Sequence, residues 1–304
     1  MQAALAGVVR IWDQGTHNAF TDLIRWRNHW YCTFREGDDH IGGDGRIRVL
    51  ISGDGTDWTS TALIGETGID LRDPKLSIAP DDRLMIVAGG SVYDGERYVG
   101  RQPRVMFSSD GRTWSTPHRI LAEGDWLWRV TWHDGRAYGV TYRTPADEWT
   151  TTLVASTDGR TFDEITTFAV TGWPNETTLR CMPDGEMIAL LRRDGGNRFA
   201  WVGRSRAPYT TWTWHETSHR IGGPNFIRLP DGHLWAAGRI DFGGVKTVLG
   251  RLTSDAGYEP VLALPSGGDT GYPGMAWHEG VLWLSYYASH EAKASIYLAQ
   301  VTID

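Results

Sequence analysis

The sequence predicts an all-β chain in which residues 1–304 form one domain, a six-bladed β-propeller of four-stranded antiparallel blades. Sixteen Trp and 37 Gly beside only 13 Pro are typical of many short strands joined by tight turns. In addition, two different phrases recur along the chain with a period of about 50 residues, which is typical of propeller blades. A β-sandwich would give no reason for that period.

The first repeated phrase combines Asp, Gly and an aromatic residue. It reads "SGDGTDW" at 52–58, "SSDGRTW" at 108–114 and "STDGRTF" at 156–162. Weaker copies are "LTSDAGYEP" around Asp255 and "SRAPYTTWTW" at 205–214. An Asp side chain can close a tight turn on backbone N–H groups, and Gly tolerates positive φ. We therefore interpret the phrase as a structural turn rather than as a ligand site.

The second repeated phrase is a hairpin, and it occurs six times. The copies are "WRNHWYCTFR" (26–35), "APDDRLMIVAG" (79–89), "WHDGRAYGVTY" (132–142), "MPDGEMIALLR" (182–192), "LPDGHLWAAGR" (229–239) and "WHEGVLWLSYY" (277–287). Each has a short turn followed by an apolar or alternating strand. A third strand then runs into the Asp-Gly turn, which leads to a fourth. The N-terminal "LAGVVRIW" is predicted to complete the last blade beside "SIYLAQVTI".

Both kinds of turn lie on one face of the predicted disc, so the opposite strand ends converge on a central funnel. With the six hairpins superposed on their turns, the position seven residues later holds Arg35, Arg192 and Arg239 in blades one, four and five. Planar guanidinium groups bind carboxylates in a bidentate manner. The pattern predicts a carboxylate site, and Arg193 is the alternative to its neighbour Arg192.

The starts of the first strands are predicted to reach the same funnel. There the repeat carries Asp73, Trp126, Glu176 and Tyr272. A tyrosine beside a carboxylate and an arginine cluster is a candidate nucleophile, because Glu176 can accept the phenolic proton of Tyr272.

Together, the Asp-Gly turns, the six-fold repeat, the three arginines and the Tyr/Glu pair resemble the exo-α-sialidase (neuraminidase) family with Asp-box, or BNR, repeats. The resemblance covers essentially the whole chain. It implies a retaining exo-glycosidase that releases terminal sialic acid, or a related 2-keto acid sugar, from glycoconjugates. A neutral tyrosine suits such a substrate, whose own carboxylate would repel an Asp or Glu nucleophile.

The resemblance also implies roles for further residues. "FREG" keeps the family's Phe-Arg pair at Arg35 and departs afterwards, and Glu291 in "ASHEAK" would hold that arginine. "LRDP" at 71–74 would place Arg72 and Asp73 against the substrate.

The mechanism needs a general acid for the leaving oxygen, and the resemblance to the family implies that it lies in the loop after the first arginine. That loop reads "REGDDHIGGDG". Asp44 is the first candidate, and Asp39 and His40 are the next.

Two other functions are compatible with the sequence. One is a lectin-like propeller that binds acidic glycans without cleaving them. The other is a glycosidase or lyase acting on uronic acids, with Tyr or His as base. The partners expected are sialylated or other acidic glycans, since a net charge of −7 argues against a nucleic-acid surface.

The remaining expectations concern cofactors, membranes and cysteines. No cofactor or catalytic metal is expected, because no metal-ligand spacing stands out. No run of 18 apolar residues is present to span a bilayer. Cys32 and Cys181 are interpreted as buried thiols rather than a disulfide. The N-terminus has a short apolar run without a full signal peptide, which fits a cytosolic chain or a trimmed mature form and leaves the localisation open.

Overall fold

The structure, a computed structural model, describes residues 2–43, 45–146, 148–253, 255 and 257–304. Within these ranges the chain consists of strands and connecting turns. In chain order the strands are β1 (Ala3–Trp12), β2 (His17–Trp26), β3 (His29–Gly37), β4 (Arg46–Ser52), β5 (Thr59–Ile64), β6 (Asp70–Ile78), β7 (Leu84–Asp94), β8 (Arg97–Ser108), β9 (His118–Arg119), β10 (Trp126–His133), β11 (Arg136–Arg143), β12 (Thr150–Ser156), β13 (Asp163–Thr167), β14 (Pro174–Cys181), β15 (Met187–Arg193), β16 (Trp201–Ser205), β17 (Thr213–Glu216), β18 (Gly222–Arg228), β19 (Leu234–Asp241), β20 (Val245–Leu252), β21 (Tyr258–Ala263), β22 (Thr270–His278), β23 (Val281–Ala288) and β24 (Ser295–Ile303).

These strands form six four-stranded antiparallel sheets, which confirms the predicted propeller. Blades one to five follow chain order, from β2–β5 to β18–β21. The sixth blade has the order β1-β24-β23-β22, so the N-terminal strand supplies its outer edge. The predicted pairing is present, with Val8 opposite Ala299 and Val9 opposite Leu298.

The Asp-Gly phrases close the turn between the third and fourth strands, as predicted. In blade two, the Asp110 carboxylate accepts backbone N–H bonds from Arg112 at 2.8 Å and Thr113 at 2.7 Å. Gly111 has φ +69°, and a Cβ there would overlap the ring of Tyr31 in blade one. The phrase therefore closes a turn and packs closely against the preceding blade.

The hydrophobic core lies between the blades. In the described part of the chain, six buried clusters each join neighbouring blades. For example, Val49 of β4 packs with Leu76 of β6 and Ile86 of β7. Cys32 and Cys181 are both free thiols; Cys32 is buried, as predicted, whereas Cys181 is only partly buried. No helix in the described ranges is long and apolar enough to cross a membrane.

The inner strand of every blade carries a bulge that sequence reasoning did not anticipate. In each first strand the pairing skips two residues and then resumes, for example between Gly271 and Gly274 in β22. The skipped pairs are Phe20-Thr21, Asp73-Pro74, Trp128-Arg129, Asn175-Glu176, Gly223-Pro224 and Tyr272-Pro273. A bulge redirects a side chain while the ladder continues on both sides of it. The six bulges therefore provide one redirected residue pair per blade.

Candidate active site

The bulge residues of different blades meet around Tyr272. The Tyr272 ring lies 5.0 Å from the Phe20 ring and 5.5 Å from the Trp128 ring, measured between centroids. Gly223 is so close that an added Cβ would approach the Tyr272 ring to 2.8 Å. The backbone carbonyl of Tyr272 accepts a 2.9 Å hydrogen bond from the Thr21 hydroxyl. Bulges in blades one, three, five and six thus fix this tyrosine at the centre of the funnel.

Three of the bulge residues have an unusual backbone conformation. Phe20, Asp73 and Tyr272 have φ of +64°, +50° and +54°. A non-glycine residue in this region costs on the order of 1–3 kcal/mol and tends to occur where function requires it. The strain at equivalent positions of three blades is independent evidence for a site at the funnel.

A cavity of about 330 Å³ opens next to Tyr272. Its walls include Arg72, Asp73, Trp126, Glu176 and Arg192. Five residues named from the sequence as catalytic or substrate-binding therefore line one cavity together with Tyr272. A larger recess of about 610 Å³, lined in part by residues of the β3–β4 loop, does not include that tyrosine.

Glu176 and Tyr272 are directly hydrogen-bonded, as their predicted placement requires. The Tyr272 hydroxyl donates to Glu176 Oε1 at 2.7 Å. Arg192 Nη1 donates to the other oxygen, Oε2, at 2.7 Å and to the Tyr272 hydroxyl at 3.2 Å. The Gly223 backbone N–H also donates to Glu176 Oε2, at 2.9 Å. The Glu176 carboxylate is thus held by two donors while its remaining oxygen faces the phenol.

Tyr272 is neutral in this environment. Burial and the adjacent Glu176 carboxylate raise the pKa of Tyr272 far above its usual range, and Arg192 offsets only part of that effect. A neutral phenol that already donates to a carboxylate can transfer its proton as it attacks an electrophilic carbon.

Arg239 of blade five also lies beside Tyr272. Its guanidinium carbon is 5.5 Å from the Tyr272 ring centroid. Nη2 donates to Asp269 Oδ1 at 2.9 Å and to the Tyr287 hydroxyl at 2.6 Å. Tyr287, the repeat equivalent of Arg239 in blade six, therefore helps to hold this arginine in place.

Arg72 and Asp73 also reach the funnel. The Arg72 guanidinium carbon lies 4.9 Å from the Phe20 ring centroid, and its nearest carboxylate oxygen is Asp70 Oδ2 at 3.8 Å. Burial raises the pKa of Asp73, although Arg72 and Lys75 act in the opposite direction. Asp73 Oδ1 is buried without a hydrogen-bond partner among the described residues.

Arg35 is placed differently from the sequence expectation. Its side chain is fully buried, and Nε donates to the equally buried Asp70 at 2.6 Å. Its Nη1 and Nη2 donate to the backbone carbonyls of Asp39 and Gly42 at 2.6 and 3.1 Å. Asp70 precedes the bulge of blade two and draws the guanidinium away from the cavity. Arg35 therefore anchors the β3–β4 loop and does not line the cavity beside Tyr272.

The predicted contact between Glu291 and Arg35 is wrong. Glu291 instead accepts hydrogen bonds from Tyr297 at 2.9 Å and Arg10 at 3.3 Å, and half of its side chain is exposed. Asp70 takes the position beside Arg35 that Glu291 was expected to have.

The choice between the adjacent arginines of blade four is settled by their contacts. Arg193 donates to the Thr171 carbonyl at 2.8 Å and to Glu216 at 2.9 Å, and stacks on Trp201. Arg192 instead lines the cavity beside Glu176.

The three candidate acids in the β3–β4 loop have different positions. Asp44 lies outside the described residues, and Asp39 is exposed at the surface. His40 lies next to the funnel, with its ring 5.2 Å from that of Phe20. Its Nδ1 is 2.6 Å from Asp269 Oδ2, which also lies 3.3 Å from His17 Nε2.

His17, His40 and Asp269 form a cluster that was not found from the sequence. Their polar atoms lie within 4.8 Å of one another, a spacing that could also accommodate a metal ion. Asp269, however, already accepts from both imidazoles and from Arg239 and Tyr287. A guanidinium on the same carboxylate opposes a second cation, so hydrogen-bonded imidazoles fit these residues better than metal ligands do.

Comparisons with known proteins agree with this fold. No protein-family model matches the chain, and no curated protein sequence matches it. Among solved structures, a protein of unknown function from Dyadobacter fermentans has a TM-score of 0.89 at 20% identity, with 99% of each chain covered. An α-L-arabinofuranosidase from Fusarium graminearum, solved as a point mutant in complex with an iminosugar inhibitor, has a TM-score of 0.77 at 14% identity, with 97% of each chain covered.

The sialidase of Trypanosoma rangeli, in complex with the inhibitor DANA, has a TM-score of 0.76 at 13% identity. The match covers 98% of this chain but only 59% of the sialidase chain. These likenesses establish a six-bladed propeller fold that is shared with two glycosidases of different specificity.

Proposed function

We propose that the protein is a retaining exo-glycosidase that releases a terminal sugar bearing a carboxylate, with sialic acid or a related 2-keto acid sugar as the substrate. The observation that supports this proposal most strongly is the buried 2.7 Å hydrogen bond from the Tyr272 hydroxyl to Glu176. In the proposed reaction the Tyr272 oxygen attacks the anomeric carbon, and Glu176 takes the phenolic proton. A carboxylate nucleophile would meet the substrate's own negative charge, whereas Tyr272 does not.

The arginines around Tyr272 supply the attraction for the substrate carboxylate. Arg192 and Arg239 flank the tyrosine from blades four and five. Arg72 replaces Arg35 as the third member, because its guanidinium lies beside Phe20 at the cavity and its ion pair with Asp70 is long, at 3.8 Å. Charge-assisted hydrogen bonds contribute about 1.5–3 kcal/mol each, so loss of one of these arginines should weaken substrate recognition severely.

The proposal is tested by trapping the covalent intermediate with a 3-fluoro sialosyl fluoride. The fluorine at C3 slows hydrolysis of the glycosyl-enzyme, so intact-mass analysis should show one added sugar. Peptide mapping should locate that sugar on Tyr272, and Tyr272→Phe should give no adduct. Tyr142→Phe is the matched control, since Tyr142 lines the same cavity without a hydrogen bond from its hydroxyl to a carboxylate within the described ranges. This variant should label like the wild type.

Other results would contradict the proposal. A protein that binds sialic acid but never acquires the label would be an acidic-glycan lectin. Hydrolysis of a fluorogenic glucuronide but not of a fluorogenic sialoside would instead show a uronate-specific enzyme. Labelling at another residue would exclude Tyr272 as the nucleophile.

A second candidate function is a glycosidase for neutral sugars that uses two carboxyl groups. The observation that favours it is Asp73, whose pKa is raised by burial and by the nearby charge of Glu176, in the same cavity. Asp73 as the acid and Glu176 as the nucleophile would supply the two carboxyl groups that such a mechanism needs. An α-L-arabinofuranoside substrate tests this candidate. Cleavage that survives in Tyr272→Phe but is lost in Glu176→Gln would favour it over the tyrosine mechanism.

A further inference from the structure

The cluster of His17, His40 and Asp269 lies one aromatic ring away from the nucleophile proposed above. The Phe20 ring packs against both: its centroid lies 5.2 Å from the centroid of the His40 ring and 5.0 Å from that of the Tyr272 ring. His40 comes from the β3–β4 loop, His17 begins β2, and Asp269 directly precedes β22. Three segments that are distant in sequence thus converge at the edge of the funnel.

The hydrogen bonds determine which ring nitrogen of His40 carries a hydrogen and which one is accessible. Its Nδ1 lies 2.6 Å from Asp269 Oδ2, and a carboxylate there can only accept, so Nδ1 carries hydrogen. In the described part of the chain Nε2 of His40 has no hydrogen-bond partner, and 45% of the side chain is exposed. A carboxylate that holds Nδ1 and leaves Nε2 accessible is the arrangement that prepares an imidazole for proton transfer.

The carboxylate itself is firmly fixed. Asp269 Oδ1 accepts from Arg239 at 2.9 Å and from the Tyr287 hydroxyl at 2.8 Å, while His17 lies on Oδ2 beside His40. Burial tends to raise the pKa of Asp269, but the hydrogen bonds from His17, His40 and Tyr287 and the charge of His40 lower it far more. The Asp269 carboxyl group is therefore ionised and can stabilise a protonated His40. The other charged groups near the cluster are Arg239, which donates to the same carboxylate, and Asp73, whose pKa the charge of His40 lowers.

We infer that His40 is the proton donor to the leaving group, and that Asp269 positions it. This inference rests on the proposed glycosidase function and adds the acid that the tyrosine and glutamate cannot provide. In the first step the Tyr272 oxygen bonds to the anomeric carbon and its proton passes to Glu176. The glycosidic bond breaks, and the leaving oxygen takes the Nε2 proton of His40.

The second step restores all three groups. Water attacks the anomeric carbon and gives one proton to His40 Nε2. The bond between sugar and Tyr272 breaks, and the phenolate recovers its proton from Glu176. The sum of both steps is hydrolysis, and no metal or other reactant is consumed.

The experiment compares two leaving groups in His40→Asn. A natural glycosidic linkage needs protonation, whereas an aryl leaving group of low pKa needs little. We expect His40→Asn to lower kcat/KM for a sialyl oligosaccharide by about 10²–10⁴-fold, the usual contribution of a general acid. The same variant should lower kcat/KM for an aryl sialoside by less than about tenfold and should still acquire the 3-fluoro label. The alkaline limb of the pH profile should also disappear.

His233→Asn is the matched control. His233 lies 3.2 Å from Asp231 and is 43% exposed, so it resembles His40 in partner and exposure, but it sits in a hairpin turn on the opposite face. Its substitution should leave both substrates and the pH profile unchanged. Asp269→Asn, which keeps a hydrogen-bond acceptor but removes the charge, should shift the alkaline limb to lower pH.

Three results would overturn the inference. One is equal loss on both substrates in His40→Asn. Another is leaving-group dependence that appears in Asp39→Ala or Asp44→Ala instead. The third is activity that is abolished by EDTA and restored by Zn²⁺, because the cluster would then be a metal site. Failure of the wild type to label, by contrast, contradicts the proposed function and not only the acid.

Discussion

Replacing Arg35 by Met should destabilise the whole propeller rather than remove a substrate contact. Arg35 and Asp70 are both fully buried and 2.6 Å apart. Removing one partner of a buried ion pair costs about 3–5 kcal/mol. Asp70 would keep only Arg72, whose Nη1 lies 3.8 Å from Asp70 Oδ2 and does not replace the 2.6 Å contact with Arg35. The carbonyls of Asp39 and Gly42 lose their donors as well. For 304 residues, a loss of this size lowers Tm by roughly 5–8 °C.

The measurement is urea unfolding followed by tryptophan fluorescence, with the double variant Arg35→Met/Asp70→Asn as control. The double variant should recover much of the stability, because the fully buried Asp70 charge is removed together with the charge of Arg35. Suppose instead that Arg35→Met unfolds within about 1 kcal/mol of the wild type while the labelling rate falls a hundredfold. That result would refute this reasoning and return Arg35 to the substrate site.

Three further predictions test other features of the fold and site. Gly223→Ala should reduce the labelling rate at least tenfold, since the added Cβ would lie 2.8 Å from the Tyr272 ring. Gly185→Ala is the control: nothing lies within 4 Å of a Cβ at this position, so the substitution should affect stability alone. Burial lowers the pKa of Lys75 from 10.5 to about 8. Between pH 8 and 10.5, Lys75 is therefore protonated in the unfolded chain but not in the folded protein. The free energy of unfolding should therefore rise with pH from 8 to 10.5, by up to about 3 kcal/mol, and Lys75→Met should abolish this rise. Asp110→Ala should lower Tm at pH 7. Because the pKa of Asp110 is lowered to about 2, the Tm difference between wild type and variant should disappear as pH falls from about 4 to 2.

The fold could be predicted because its signals are local. An Asp-Gly turn specifies its own geometry through hydrogen bonds within four residues, such as those that the Asp110 carboxylate accepts from the Arg112 and Thr113 N–H groups. Six hairpins then fix a common register, and counting from their turns placed Glu176 and Tyr272 at the same end of their strands. The hydrogen bond between them follows from that register.

Arg35 shows that counting residues from the turns predicts a position along a strand but not the direction of the side chain. Its position along β3 was predicted, but its burial depends on Asp70 from the next blade and on two glycines of its own loop. Added Cβ atoms at Gly37 and Gly45 would overlap the Arg35 side chain. Such tertiary contacts decide the direction of a long side chain, and the repeated sequence pattern does not reveal them.

The histidine cluster was missed for a related reason. His17, His40 and Asp269 do not share a repeat position, and each lies just outside a regular strand or at its first residue. Histidines scattered in sequence indicate a site only when the topology that joins them is known. The bulges were missed too, because an extra unpaired residue changes side-chain direction without changing the hydrophobic pattern.

The bulges also bear on how such a propeller can change during evolution. Each bulge is flanked by intact pairing, as at Arg72 and Lys75 in β6, so a substitution there leaves the ladder and the distant Asp-Gly turns untouched. Bulge residues of blades two, four and six line one cavity, while those of blades one, three and five pack against Tyr272. A scaffold of this kind can acquire a new ligand specificity through single replacements at these positions. Exchanging bulge pairs between distantly related propellers is accordingly a rational route to redesigned ligand recognition.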